Sequence, residues 1–213
     1  MKKNISPIGI FEYSSCNISS LKNAFNILKV EPKISKNFDD LLKCKKIIIP
    51  GVGNMKSVTK EELKKTSISV QKFLENDGIL YGICLGLQML FDYSEEGKCK
   101  TLGQLKGKSI FIKNKYSIDL NVQFQKLFFD KNVNNIILQK LFEGIDPNEK
   151  FYFLHKYYCE PEDDKILQIN STVNFLRMPS MFIKNKIIGT QFHPELSKQA
   201  GIKFLNNFLN LNI

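Results

Sequence analysis

An unbroken apolar run, Ile79-Leu80-Tyr81-Gly82-Ile83-Cys84-Leu85, follows the breaker Asp77-Gly78. A strand that is apolar at every position, rather than at alternate ones, has to be covered on both faces. Lys46-Ile47-Ile48-Ile49-Pro50 is a second such strand and ends in the turn Pro50-Gly51-Val52-Gly53. Helical spacings lie around them. Ile18, Leu21, Phe25 and Leu28 recur three and four residues apart after a short strand at Pro7–Tyr13. Asn17 or Ser19 is the expected cap of that helix. Further helices are expected over roughly Ser57–Asn76 and from Leu85 to about Tyr93. Continuous apolar strands alternating with helices predict an α/β fold around a mostly parallel central sheet flanked by helices.

From Lys108 onward the pattern becomes β-rich. Lys108–Ile112, Phe151–Cys159, Lys165–Asn170, Ser180–Lys184 and Ile187–Phe192 read as closely spaced strands, with Lys184-Asn185-Lys186 as a hairpin turn. A last amphipathic helix follows Pro194, with Leu196, Ile202, Leu205 and Leu209 among its apolar positions. The length of 213 residues suffices for one good core and is short for two full domains, so a single domain over 1–213 is expected.

Composition excludes several classes. With 43% hydrophobic and 24% charged residues the chain is neither a disordered tail nor a fibre. No apolar run reaches the ~18 residues of a membrane helix. The opening M-K-K-N-I-S-P-I-G-I has no long apolar segment or cleavage site, and reads as the start of a mature cytoplasmic chain. The net charge of +10 is almost all lysine, Arg177 being the sole arginine, and it is scattered through a sequence rich in Asn, Ile and Phe. Compositional drift accounts for it better than a polyanion surface, and no nucleic-acid motif accompanies it. Cys16, Cys44, Cys84, Cys99 and Cys159 contain no C-x-x-C pair and form no disulfide framework. With only His155 and His193 available, no metal site is expected.

Gly82-Ile83-Cys84-Leu85-Gly86 has the form of a nucleophile elbow with cysteine in the serine position. A strand-to-helix turn this tight leaves no room for Cβ atoms beside the nucleophile. Cys84 would sit at a helix N-terminus, where free N–H groups favour thiolate. The plain alternative is a structural cysteine in a glycine-containing turn. A thiolate needs a proton shuttle, and His193 in G-T-Q-F-H-P-E stands at a strand end with Glu195 two residues on. Pro194 keeps that segment extended, so the Glu195 carboxylate can fold back and fix the imidazole tautomer. The glycines of Pro50-Gly51-Val52-Gly53 free backbone N–H groups for an oxyanion. Alone, that signal is more often just a turn.

Y-G-I-C-L-G-L-Q, G-T-Q-F-H-P-E and P-G-V-G, in this order and spacing, resemble the class I (triad) glutamine amidotransferases. S-E-E-G at Ser94–Gly97, the L-G-x-x-x-G run at Leu102–Gly107 and F-Y-F-L-H-K-Y-Y at Phe151–Tyr158 narrow the resemblance to glutaminase subunits of imidazole glycerol phosphate synthase. The resemblance implies a flavodoxin-like fold without a cofactor. It implies that Cys84 attacks the side-chain amide of glutamine, that His193 with Glu195 passes the proton to ammonia, and that a γ-glutamyl thioester is then hydrolysed. It gives the oxyanion to Gly51, Val52, Gly53 and the Leu85 N–H. It gives the substrate's amino-acid end to Gln88, Glu96 and the backbone of Lys156, Tyr157 and Tyr158. His155 is left a structural role. The implied partner is a (β/α)8-barrel cyclase subunit that receives the ammonia.

Two blocks depart from the family. The first strand usually runs into D-Y-x-x-G-N, whereas here it reads Glu12-Tyr13-Ser14-Ser15-Cys16-Asn17. The H-M-G-W-N block that the family tends to carry in its middle is replaced by Leu120-Asn121-Val122-Gln123-Phe124-Gln125. Both are expected on the side facing the cyclase, which touches coupling more than hydrolysis. An ammonia-supplying paralogue for sugar amidation is therefore the alternative. A regulatory protein without turnover is disfavoured by the intact Cys84, His193 and Glu195. A cysteine hydrolase acting on other amides is disfavoured by Gln88.

Overall fold

The structure, a computed structural model, describes residues 7–14, 16–129 and 134–213. The opening hexapeptide used in the leader reading and Ser15 of the first departing block lie outside the described residues. The first half runs β1 (Ile8–Phe11), α1 (Ser19–Ile27), β2 (Lys33–Ser35), β3 (Lys46–Ile49), α2 (Lys60–Glu75), β4 (Ile79–Ile83) and α3 (Leu85–Leu90). Then come β5 (Tyr93–Ser94), β6 (Cys99–Lys100), β7 (Gly107–Phe111), α4 (Lys113–Tyr116), β8 (Asn121–Lys126), α5 (Ile136–Leu141), β9 (Lys150–His155) and β10 (Tyr157–Pro161). The chain closes with β11 (Leu167–Val173), β12 (Leu176–Lys184), β13 (Ile187–Thr190), β14 (Phe192–His193) and α6 (Lys198–Asn210).

Seven strands form the central sheet in the order β11-β12-β13-β4-β3-β1-β2. The five from β13 to β2 are parallel, and β11 and β12 extend the sheet antiparallel. Alternate residues of β3 divide between two cores: Ile48 joins Leu21 and Phe25 of α1 and Phe204 and Phe208 of α6, while Ile47 and Ile49 join Leu63, Val70 and Phe73 of α2. Coverage on both faces is why these strands are apolar throughout. Lys46 is buried as well, and its Nζ donates to the Leu209 carbonyl at 2.5 Å, tying the start of β3 to the end of α6. Burial of that ammonium lowers its pKa to about 8. Among the described residues no helix is long and apolar enough to cross a membrane.

Several expected boundaries moved, each for a local reason. The single strand expected over Phe151–Cys159 is two strands parted at Lys156, because β9 pairs with β8 and β14 while β10 pairs with β7 in a different sheet. Ile187–Phe192 is likewise divided at Gln191 between β13 and β14. Helix α2 begins at Lys60, where Thr59 Oγ1 accepts the Glu62 N–H at 3.1 Å. Helix α3 stops at Leu90, and β5 follows it. At α1 the N-cap is Ile18 with no side-chain cap; Asn17 Oδ1 instead accepts the Ser19 N–H at 2.9 Å. Leu196 stands on the surface ahead of α6 rather than on its buried face, whereas Leu205 and Leu209 are buried. The hairpin at Asn185 forms as expected, Lys184 pairing with Ile187 and Asn185 taking φ 52°.

Candidate active site

Cys84 joins β4 to α3 with φ 49° and ψ −102°, a conformation that L residues avoid. Such a position costs of order 1–3 kcal/mol and persists where its surroundings enforce it. The enforcement is visible: the Cys84 N–H donates to the Thr190 carbonyl at 2.7 Å, and the Cys84 carbonyl accepts the Gln88 N–H at 3.0 Å. The backbone of β3 presses on the turn so closely that a Cβ on Gly86 would overlap the Ile49 carbonyl, and one on Gly51 the Ile83 carbonyl.

His193 ends β14, and its Nδ1–H donates to Glu195 Oε1 at 2.7 Å, with side chains 1% and 4% exposed. A carboxylate only accepts, so this contact puts the proton on Nδ1 and leaves Nε2 to face other groups. Nε2 has no hydrogen-bond partner among the described residues. Burial alone would lower the His193 pKa, but the Cys84 sulfur and the Glu195 carboxylate together outweigh it and hold the imidazolium well above its ordinary range. Ser197 Oγ fixes the segment by donating to the His193 carbonyl at 2.6 Å and accepting the Tyr152 N–H at 2.9 Å.

The Pro50–Gly53 turn lies against the elbow. Tyr13 OH donates to the Pro50 carbonyl at 3.0 Å, and the Asn17 N–H to the Val52 carbonyl at 3.0 Å. The Leu85 N–H, expected to face an oxyanion, instead donates to the Gly51 carbonyl at 3.4 Å. The first departing block thus touches the site itself through Tyr13 and Asn17.

A cleft of about 290 Å³ opens above Cys84. It is lined by Gly51, Val52, Gly53, Leu85, Gln88, Glu96, Lys156, Tyr157 and His193 among the residues singled out from sequence. Glu195 lies behind His193 rather than in the cleft. Tyr158 does not line it either: it is fully buried, with its ring 5.0 Å from Tyr116 in edge-on contact. Gln88 Nε2 donates to the Tyr157 carbonyl at 3.0 Å, and Glu96 Oε2 accepts the Met55 N–H at 3.0 Å. His155 borders the cleft in a closed network, Nδ1 donating to the Tyr157 carbonyl and Nε2 accepting from Asn121 Nδ2, both at 2.9 Å. Burial lowers its pKa to about 3, so it is neutral at ordinary pH. Three contributors went unread in the sequence: Thr190, Gln191 and the Leu154 carbonyl, 3.6 Å from Cys84 Sγ. Thr190 and Gln191 sit inside G-T-Q-F-H-P-E, so the motif held that signal.

A cysteine elbow beside a buried His–Glu pair and a glycine turn is an arrangement able to perform thiol-dependent acyl chemistry. Residues 10–211 match the class-I glutamine amidotransferase family, and the chain belongs to it. Among relatives, the imidazole glycerol phosphate synthase subunit HisH of Methanocaldococcus jannaschii is 36% identical over 208 residues, 96% of this chain and 99% of that protein. The HisH of Pelagibacter ubique is 34% identical, with 96% and 99% covered. Solved structures agree in fold. A glutamine amidotransferase superposes with TM-score 0.69 at 16% identity, covering 96% of this chain and 99% of that one. The glutaminase domain of Trypanosoma brucei CTPS gives 0.62 at 14%, covering 98% and 95%.

Proposed function

We propose that the chain is the glutaminase subunit of an imidazole-glycerol-phosphate-synthase complex, a single domain over 1–213 acting in the cytoplasm. It hydrolyses glutamine to glutamate and ammonia, and passes the ammonia to a (β/α)8-barrel cyclase subunit. The observation that carries the reading is Cys84, held on a positive-φ turn beside the buried His193–Glu195 pair. Membership of the class-I glutamine amidotransferase family supports glutamine as the substrate, and kinship to HisH subunits over nearly the whole chain supports the complex.

The steps follow from the geometry. Cys84 gives its proton to His193 Nε2, whose imidazolium is stabilised by Glu195. The thiolate attacks the amide carbon of glutamine, and the carbonyl electrons move onto oxygen. When the tetrahedral intermediate collapses, the C–N bond breaks and His193 returns the proton to the leaving ammonia. Water then attacks the γ-glutamyl thioester with His193 as base, and glutamate leaves as Cys84 regains its proton. Glu96 faces the cleft as an acceptor for the substrate ammonium, and Gln88 with the Lys156–Tyr157 backbone grips the same end. Tyr158 contributes through its strand, not its side chain.

The oxyanion site is Leu85 N–H with a backbone N–H from the Gly51–Gly53 turn. A half-turn of the Gly51–Val52 peptide would withdraw the Gly51 carbonyl from Leu85 and bring the Val52 N–H toward the same point. The test is labelling with a glutamine-analogue electrophile followed by mass spectrometry. Modification of Cys84 and none of the other four cysteines is expected; modification chiefly at Cys16 or Cys99 would contradict the assignment.

A further inference from the structure

Gln191 is fully buried between the nucleophile and the substrate-binding residue Gln88. Its Nε2 is 3.4 Å from Cys84 Sγ, and its Oε1 is 3.5 Å from Gln88 Nε2. The direction of these contacts is fixed from one end. The Tyr157 carbonyl can only accept, so Gln88 must turn its NH2 toward it, at 3.0 Å. The second proton of that NH2 meets Gln191, whose oxygen must therefore face Gln88 and whose NH2 must face the sulfur. His155 Nδ1–H, on the other lone pair of the same carbonyl, holds the anchor in place.

We infer that Gln191 is a catalytic residue of the proposed glutaminase, its side-chain N–H stabilising the Cys84 thiolate, and that Gln88 orients it as well as gripping substrate. The inference rests on Cys84 being the nucleophile. The Leu154 carbonyl, 3.6 Å from the sulfur, accepts S–H from the thiol and offers nothing to the anion. Gln191 donates to either form and more strongly to the charged one. The ionisable groups that share the cleft with the sulfur are His193, with Glu195 behind it, His155, kept neutral by burial, and Glu96, Lys156 and Tyr157; Cys159 and Tyr13 are both kept protonated by burial.

The experiment is alkylation of the full-length chain by iodoacetamide across pH, with Cys84 followed by mass spectrometry. Gln191→Leu and Gln191→Met should each slow Cys84 alkylation at pH 7 by about threefold: a lost bond of ~1.4 kcal/mol to a charged group cuts the thiolate population about tenfold, and the greater nucleophilicity of the less stabilised thiolate returns part of it. At high pH the deficit should vanish or reverse, because a thiolate without its donor is the stronger nucleophile. Gln88→Leu, which frees the Gln191 amide to turn, should give a smaller drop of the same kind. In the unmodified chain the side-chain amide nitrogen signal of Gln191 should shift with the same midpoint as Cys84 alkylation, a readout that does not depend on variants folding. An unreactive Cys84 in the unmodified chain would overturn the glutaminase reading. A reactive Cys84 with unchanged rates in both Gln191 variants, or a Gln191 signal that does not follow it, would overturn this inference alone.

Discussion

The Leu85 N–H is bonded to the Gly51 carbonyl at 3.4 Å, so the donor proposed for the oxyanion is already occupied from within the chain. A carbonyl oxygen standing where negative charge should develop is the wrong dipole for the transition state. In the proposed glutaminase, turning the Gly51–Val52 peptide would give the site two donors. A conformational step would then precede chemistry, populated by a ligand that prefers the turned state.

Gly51→Ala should therefore be severe. Its Cβ would overlap the Ile83 carbonyl and crowd the Leu85 nitrogen, both backbone groups that cannot step aside. Glutamine hydrolysis should fall by at least ~100-fold, equivalent to ~2.7 kcal/mol in the barrier, and the melting temperature should drop by several degrees.

Cys84→Ala should abolish hydrolysis while leaving fold and partner binding intact. The thiol is used covalently, and although Cys84 is buried in the core, alanine keeps its Cβ and loses one sulfur atom, so chemical denaturation should place the variant within about 1 kcal/mol of the unmodified chain.

His193→Ala should be nearly as damaging as Cys84→Ala, and the double variant scarcely worse than either, because the two act as one unit. Glu195→Gln should be milder, since it retains shape and some hydrogen bonding to Nδ1. Glutamate release under saturating glutamine measures all three. Loss of hydrolysis in His155→Ala with retention in His193→Ala would reverse the assignment.

His155 should announce itself in stability instead. Its folded-state pKa is lowered by burial to about 3, against ~6.5 in an unfolded chain. Between these values the unfolded chain binds a proton that the folded chain refuses. Its contribution to stability is therefore intact above pH ~6.5 and lost as pH falls toward 3, by up to ~1.4 kcal/mol per pH unit. Urea titrations at several pH values should show a steeper acid loss in the unmodified chain than in His155→Gln.

The legible parts of the sequence were those whose geometry is local. Gly82, Cys84 and Gly86 force the elbow, and Ile47, Ile48 and Ile49 announce a strand buried on both faces. His193 and Glu195 are two residues apart, and a short 3-10 turn over Pro194–Leu196, rather than the extended segment expected, brings them together. What stayed hidden depends on distant chain. Phe151–Cys159 reads as one strand because nothing local says that β9 will pair with β8 and β10 with β7. No strand is expected from sequence at Lys33–Ser35, and only pairing with the edge of β1 makes these three residues β2. Gln191 gains its role from Gln88 and Cys84, both on another element of the fold. The departing blocks seemed remote from hydrolysis. Yet Tyr13 and Asn17 hold the Pro50–Gly53 turn, and Asn121 of the second departing block bonds His155 at the rim of the cleft.

The central claim is a glutaminase whose oxyanion site is closed until a partner opens it. The most direct measurement is glutamate release from glutamine by the purified chain, alone and with a (β/α)8-barrel cyclase subunit carrying its nucleotide-derived ligand. The account predicts a low rate alone, a rise of at least ~10-fold with the liganded partner, equivalent to ~1.4 kcal/mol of transition-state stabilisation, and no release in either condition from Cys84→Ala. Full activity in the isolated chain, unchanged when the partner is added, would contradict it.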